Sequence, residues 1–323
     1  MNRRSFLFTT ALATGAALVA GALPLSVRAA DDKPAKLRIG YQKGGIFLVV
    51  KARQSIEKAL ADQGIGVEWV EFAFGPPLLE ALQAGAIDYG YTGDAPPIFA
   101  QAARADLLYV GAIPARGDGQ AIVVAPDSPI QSVADLKGKK VAVAKGSSAH
   151  NLLVSATEAA GLKWGDFEVA YLAPADAAAA FARGSVDAWS IWDPYYALAE
   201  LSPKGARPLP VDKSVAAQNS FFLANRTFTG KYPALVALVN TQIGDAVAWA
   251  NTHRDEVAAL YSEASGVPLK AQQRAVARAE FSFGPLTESV LAQQQGVADR
   301  FHKIGLIPKA IAVRDIVWTG QPA

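Results

Sequence analysis

Along this chain the spacing of apolar residues switches between a strand period and a helix period in a regular order. Leu37-Arg38-Ile39-Gly40-Tyr41 predicts a strand, followed by helical spacing over 46–63 that ends at Gly64. Val67 to Phe72 alternates in part and predicts a second strand. Gly75-Pro76-Pro77 then turns the chain into a short helix over 78–83, with Gly85 at the usual C-terminal glycine position. Tyr89 to Thr92 predicts a third strand and Leu107 to Val110 a fourth, with a helix starting at Asp94-Ala95-Pro96-Pro97. Ala121 to Val124, followed by Pro126-Asp127-Ser128-Pro129, predicts a strand leaving this unit and a turn. A second series follows, with strands at Val141–Ala144 and Phe167–Tyr171 and a helix over 151–160. Ser220 to Ala224 predicts a returning strand, and four helical stretches close the chain, over 233–251, 254–265, 270–279 and 288–304.

The two series share one layout. A strand leads into Gln42-Lys43-Gly44-Gly45 in the first and into Lys145-Gly146-Ser147-Ser148 in the second. Each later carries Gly-x-Ile/Val-Asp, five residues, and an Asp before proline: Gly85 to Asp88 with Asp94, and Gly184 to Asp187 with Asp193. The offsets agree, since 145 − 43 = 102 and 187 − 88 = 99. Strand–helix alternation of this kind predicts an α/β protein of two doubly wound lobes, and two crossings between them predict a two-strand hinge. The boundaries read as lobe one over 30–122 and 222–323, and lobe two over 123–221. Two lobes built on one plan imply a cleft that closes on something small.

Length fits this picture, because 323 residues exceed what one core usually holds. The first 29 residues are set apart. Asn2-Arg3-Arg4-Ser5-Phe6-Leu7 precedes a small, apolar run from Phe8 to Leu25, and Val27-Arg28-Ala29 places small residues at a cleavage site. This reads as an export signal cleaved near Ala29, by the Tat route, which the paired arginines resemble, or the Sec route. Its removal takes Arg3, Arg4 and Arg28 and moves the formal charge from +2 to −1. A near-neutral mature chain without basic clusters argues against nucleic acid or a membrane surface as partner. Cysteine is absent, so there is no disulfide, no thiol nucleophile and no cysteine for a lipid anchor. The reading is a monomer free in the periplasm, with no metal and no cofactor, since the three histidines lack ligand spacing and no phosphate or dinucleotide fingerprint occurs.

The candidate chemistry lies at helix starts. Beyond the carboxyl ends of strands in open α/β sheets, helix N-termini expose unpaired N–H groups and carry about half a positive charge each. Asp94 and Asp193 cap their own helices, with proline close behind, so an anion is expected at the Gly/Ser starts instead. Gly146-Ser147-Ser148-Ala149-His150 lets backbone approach and adds two hydroxyls, which suits a tetrahedral oxyanion, although a plain serine N-cap has the same sequence. Strand alternation puts Trp189 in the core and Trp192 nearer the cleft.

Four blocks resemble the aliphatic sulfonate-binding proteins of ABC importers: Tyr41-Gln42-Lys43-Gly44, the run Tyr91 to Ala103, the run Lys145 to Leu153, and Asp187 to Tyr196. The resemblance covers about Leu37 to Trp318 and implies a type II periplasmic binding protein fold. It implies a receptor that delivers alkanesulfonates to a membrane permease and its ATPase subunit for sulfur acquisition, and no catalysis. The site it implies comprises Gln42, Thr92, Gly93, Asp94, Gly146, Ser147, Ser148, His150, Trp192 and Asp193. Sulfonate oxygens would sit at Ser147 and Ser148, Gln42 and Thr92-Gly93 would face them, and Trp192 would wall the tail. Ala149 stands where some relatives carry a third serine. Taurine, nitrate or bicarbonate remain as ligands of the same fold. An enzyme of this fold, a pyrimidine-precursor synthase or a hydrolase using Ser147 or Ser148 with His150, is the reading from another class; desulfinases of this fold need a cysteine.

Overall fold

The computed structural model describes residues 33–114 and 118–320. The expected export signal therefore lies outside the described residues.

The chain starts with β1 (Lys36–Tyr41), α1 (Phe47–Arg53), α2 (Ser55–Leu60), β2 (Gly66–Glu71), α3 (Gly75–Gln83), β3 (Tyr89–Gly93), α4 (Ala95–Ala102) and β4 (Leu107–Ile113). It crosses to β5 (Gln120–Val124) and runs through β6 (Lys140–Val143), α5 (Ser148–Ala159), β7 (Glu168–Tyr171), α6 (Pro174–Ala182), β8 (Ala188–Trp192), α7 (Tyr195–Leu201), β9 (Arg207–Pro208) and α8 (Lys213–Ala216). It returns with β10 (Ser220–Asn225) and ends in α9 (Arg226–Lys231), α10 (Pro233–Thr252), α11 (Arg254–Ser265), α12 (Leu269–Arg278) and α13 (Glu288–Lys303).

Two five-stranded sheets result, in the orders β2-β1-β3-β10-β4 and β7-β6-β8-β5-β9. Three parallel strands form one side of each sheet. The fourth, β10 or β5, runs antiparallel and arrives from the other sheet. The sequence repeat is thus a repeat of sheet order. Its aspartates have a structural job. Asp88 Oδ2 accepts from the Arg38 N–H at 2.8 Å, and Asp187 Oδ2 accepts from the Lys140 N–H at 2.7 Å. In return the Asp88 and Asp187 N–H groups each donate at 2.8 Å to the carbonyls of Arg38 and Lys140. Each Asp fastens the start of one strand to the loop entering its parallel neighbour, where the ladder has not begun.

Burial follows the strand period. In β5, Ile122 and Val124 pack on one face with Val141, Val143 and Leu152, while Ala121 and Val123 pack on the other with Ala142, Trp189 and Ile191. In the first sheet, Phe47 of α1 meets Tyr89 and Phe222 edge-on, at centroid distances of 5.9 and 5.6 Å. The helix expected over 46–63 is broken at Gln54, which sits in the left-handed region with φ 52°. Phe47, Leu48, Val49 and Val50 are all buried, and four consecutive apolar residues span more than one face of a helix. The break lets the next segment turn and bury Ile56 and Leu60 separately.

Candidate binding cleft

The carboxyl ends of β1 and β3 face those of β6 and β8 across a cleft of about 240 Å³. Gln42, Thr92 and Gly93 line it from the first sheet, and Ser147, Ser148, Trp192 and Asp193 from the second. Gln42 is fixed by its Nε2 donating to the Tyr91 carbonyl at 3.0 Å. Gly93 sits where the two sides pack tightly. A Cβ there would lie 2.7 Å from Ser148 Cβ and 2.4 Å from Gln218 Nε2, so no side chain fits without parting them. Trp189 is buried, while Trp192 is half-buried at the cleft, as strand alternation predicts.

The two serines have different jobs. Ser147 caps α5: its Oγ donates to the Ala144 carbonyl at 2.7 Å and accepts from the His150 N–H at 3.3 Å. A hydroxyl has one proton, so Ser147 has none left for an anion. Ser148 Oγ and the N–H groups of Ser148 and Ala149 make no hydrogen bond among the described residues. They are the open donors at the N-terminus of a 12-residue helix.

Three of the expected site residues lie behind the cleft. Gly146 adopts φ 72°, and its N–H is taken by His150 Nδ1 at 3.2 Å. Glycine forms this turn because its left-handed backbone clashes with any Cβ. His150 is fully buried and stacks on Phe99, with Trp164, Tyr171 and Phe301 around it. Burial, with Lys145 nearby, lowers its pKa to about 4, so it is a neutral prop beneath the loop. Its Nε2 finds no partner among the described residues, and no serine hydroxyl is arranged to use it as a base. Asp94 turns away to cap α4, accepting from the Ala95 N–H at 2.7 Å and from Asn151 Nδ2 at 2.6 Å. Burial pushes its pKa up to about 7, against the pull of Asn151, Ala95 and Arg300.

Asp193 does line the cleft, but not as a plain N-cap; α7 starts two residues later, with Pro194 at the cap. Its carboxylate takes two bonds of 2.9 Å from Arg278 and one of 3.0 Å from the Ala197 N–H. Arg278 also donates to Glu200 at 2.9 Å and covers the Tyr196 ring at 3.9 Å. Burial raises the Asp193 pKa to about 6, opposed by Arg278. Arg278 is a cleft residue that sequence reasoning missed, because its partner lies 85 positions away. Its charge is already met by two carboxylates, so among the described residues the cleft presents no unpaired arginine to a ligand. Lys43, which also lines it, has no carboxylate partner among the described residues.

The cleft also has an apolar stretch. Ile46 and Ile113 line it together with Val247, Tyr261, Ala275 and Phe281 from the C-terminal part of the chain, with Gln272 and Glu280 among them. These residues carry no motif, and only the tertiary fold brings them together. Gln120, Gln218 and Ser220, from the crossings between sheets, complete the wall.

Residues 60–257 match the family model described as NMT1/THI5 like. An aliphatic sulfonates-binding protein of Escherichia coli (strain K12) is 45% identical over 304 residues, covering 93% of this chain and 94% of that protein. The crystal structure of the periplasmic aliphatic sulphonate binding protein from Escherichia coli superposes with a TM-score of 0.82 at 44% identity, covering 90% of this chain and 94% of that one. The alkanesulfonate-binding protein from Xanthomonas axonopodis pv. citri, bound to MOPS, gives 0.83 at 41% identity, covering 88% and 99%.

Proposed function

The chain belongs to the NMT1/THI5-like family, among the aliphatic sulfonate-binding proteins, and on that premise we propose that it is the solute receptor of an ABC importer for alkanesulfonates. The observation that carries the ligand chemistry is the start of α5. Ser148 Oγ and two unpaired N–H groups face Gln42 and Thr92-Gly93 across a cleft to which Ile46, Ile113, Val247, Ala275 and Phe281 add an apolar stretch of wall. A sulfonate presents three acceptor oxygens sharing one charge, which such donors hold without a paired cation. The tail runs along Trp192 toward the C-terminal helices. Sulfate fills only the polar end and leaves the apolar part of the cleft wet, so the tail supplies the discrimination. MOPS, bound by the Xanthomonas relative, is itself a sulfonate with a bulky tail.

Residues 30–122 with 222–323 act as one lobe and 123–221 as the other. Ligand contacts to both stabilise the closed form that the permease and its ATPase accept. The chain works in the periplasm after export and does no covalent chemistry. Its closely similar relatives are binding proteins. Ser147 is consumed by its own helix and the cleft holds no thiol, so no nucleophile is prepared.

Tryptophan fluorescence of the mature protein, titrated with ethanesulfonate, taurine, nitrate and sulfate, tests this reading. A saturable change with ethanesulfonate and a weaker one with sulfate is expected. The Ser147→Val/Ser148→Val variant should lose it. Equal responses to sulfate and ethanesulfonate, or normal binding by the double variant, would falsify the assignment.

A further inference from the structure

Among the described residues, nine buried side-chain polar atoms lack a partner, and only two belong to residues that line the cleft: Gln120 Oε1 and Tyr261 OH. Gln120 also borders a second cavity between α5 and α8, so its orphan atom does not point to the cleft alone. Tyr261 is the cleaner case. It rises from α11, is 3% exposed, and lines the cleft with Val247, Gln272, Ala275 and Phe281. Burial pushes the Tyr261 hydroxyl far up, so it keeps its proton at any working pH and can both donate and accept. Buried hydroxyls in folded proteins are paired, and an exception in a binding cleft marks where a ligand atom belongs.

We infer that the space between α10, α11 and α12 is a chamber for the ligand's tail, and that Tyr261 selects tails carrying a hydrogen-bonding heteroatom there. This rests on the sulfonate reading above. The substrate class is narrowed from plain alkanesulfonates to sulfonates whose tail is bulky and carries an ether, hydroxyl or amine group away from the head. The physical ground is asymmetric. A purely hydrocarbon tail entering the chamber leaves the Tyr261 hydroxyl dry and unpaired, whereas a tail with one heteroatom meets it.

Isothermal titration of the full mature protein with ethanesulfonate, hexanesulfonate and MOPS separates the contributions. Ethanesulfonate probes the head site, hexanesulfonate adds hydrocarbon bulk, and MOPS adds bulk with a morpholine oxygen. Tyr261→Phe should weaken MOPS roughly three- to tenfold and shift the other two less than about twofold, the loss of one neutral hydrogen bond. Ala275→Leu, which fills the chamber from α12 with a good helix former, should weaken MOPS and hexanesulfonate by roughly tenfold or more while ethanesulfonate again moves little. Retained ethanesulfonate binding shows in each case that the variant has folded. Were all three ligands to respond alike to both variants, the chamber would be refuted and the sulfonate receptor would stand. Failure of wild-type protein to bind any of the three removes both.

Discussion

Two adjacent serines, alike in sequence, divide the work of one helix start. Ser147 holds the helix and Ser148 faces the cleft. Ser147→Ala should therefore lower stability by about 1 kcal/mol, the usual worth of an N-cap, in urea unfolding. Ser148→Ala should leave the unfolding midpoint in place and weaken alkanesulfonate binding, as read by fluorescence titration. Equal stability losses in the two would contradict this division. The buried ionisable pair behind them sets opposite pH dependences. Asp94 is raised to about 7 when folded, so its contribution is fully present below its ordinary carboxylate value and is lost as pH rises through 7. His150 is lowered to about 4, so its contribution is present above its ordinary value and is lost as pH falls through 4. Asp94→Asn should remove the alkaline loss: the variant's melting temperature should gain on wild type between pH 5 and pH 8. A gap that does not change over that interval would show that Asp94 titrates in its ordinary range. The serine turn, Gln42 and the outward Trp192 were legible in the sequence because a local pattern carries each. The capping role of Asp94 was legible too, but that His150 faces away was not, because its direction depends on packing against Phe99 and Phe301, far along the chain.

At the scale of elements, the strand–helix alternation predicted nearly every strand and the four C-terminal helices within a residue or two. Periodicity failed where the buried face changes within one run, at the Gln54 break. The expected lobe boundaries at 122 and 222 fall within β5 and β10, the two strands that follow the crossings between the sheets. The least legible device is the clasp from α12 to the second sheet, where Arg278 joins Asp193 and Glu200. It ties a C-terminal helix to the opposite side of the cleft. Arg278→Met strands the Asp193 carboxylate in a poorly solvated place, while Glu200 keeps Arg274 at 3.4 Å, and should cost about 3 kcal/mol in urea unfolding. Adding Asp193→Asn should recover part of that loss, since the uncompensated charge, not the missing contact, is the larger penalty. No recovery in the double variant would assign the loss to packing over Tyr196 instead.

For the molecule as a whole, the two sides meet through Gly93 and Ser148 with no room to spare. Gly93→Ala should hold them apart, lower alkanesulfonate affinity, and leave a scattering profile that no longer contracts when ligand is added. An unchanged contraction would mean that closure does not pass through this contact. The sheet orders carry one more consequence. Strand β5 follows the first four strands but completes the second sheet, and β10 follows the next four but completes the first, a hundred positions on (220 − 120 = 100). Topologically this is an exchanged dimer written on one polypeptide: each half donates its last strand to the other. In the full chain the place next to each half's third parallel strand is filled by the other half's last strand. Co-expressed as separate fragments, 30–139 and 140–323, they should reassemble as a pair, which co-purification on a tag carried by one of them would read.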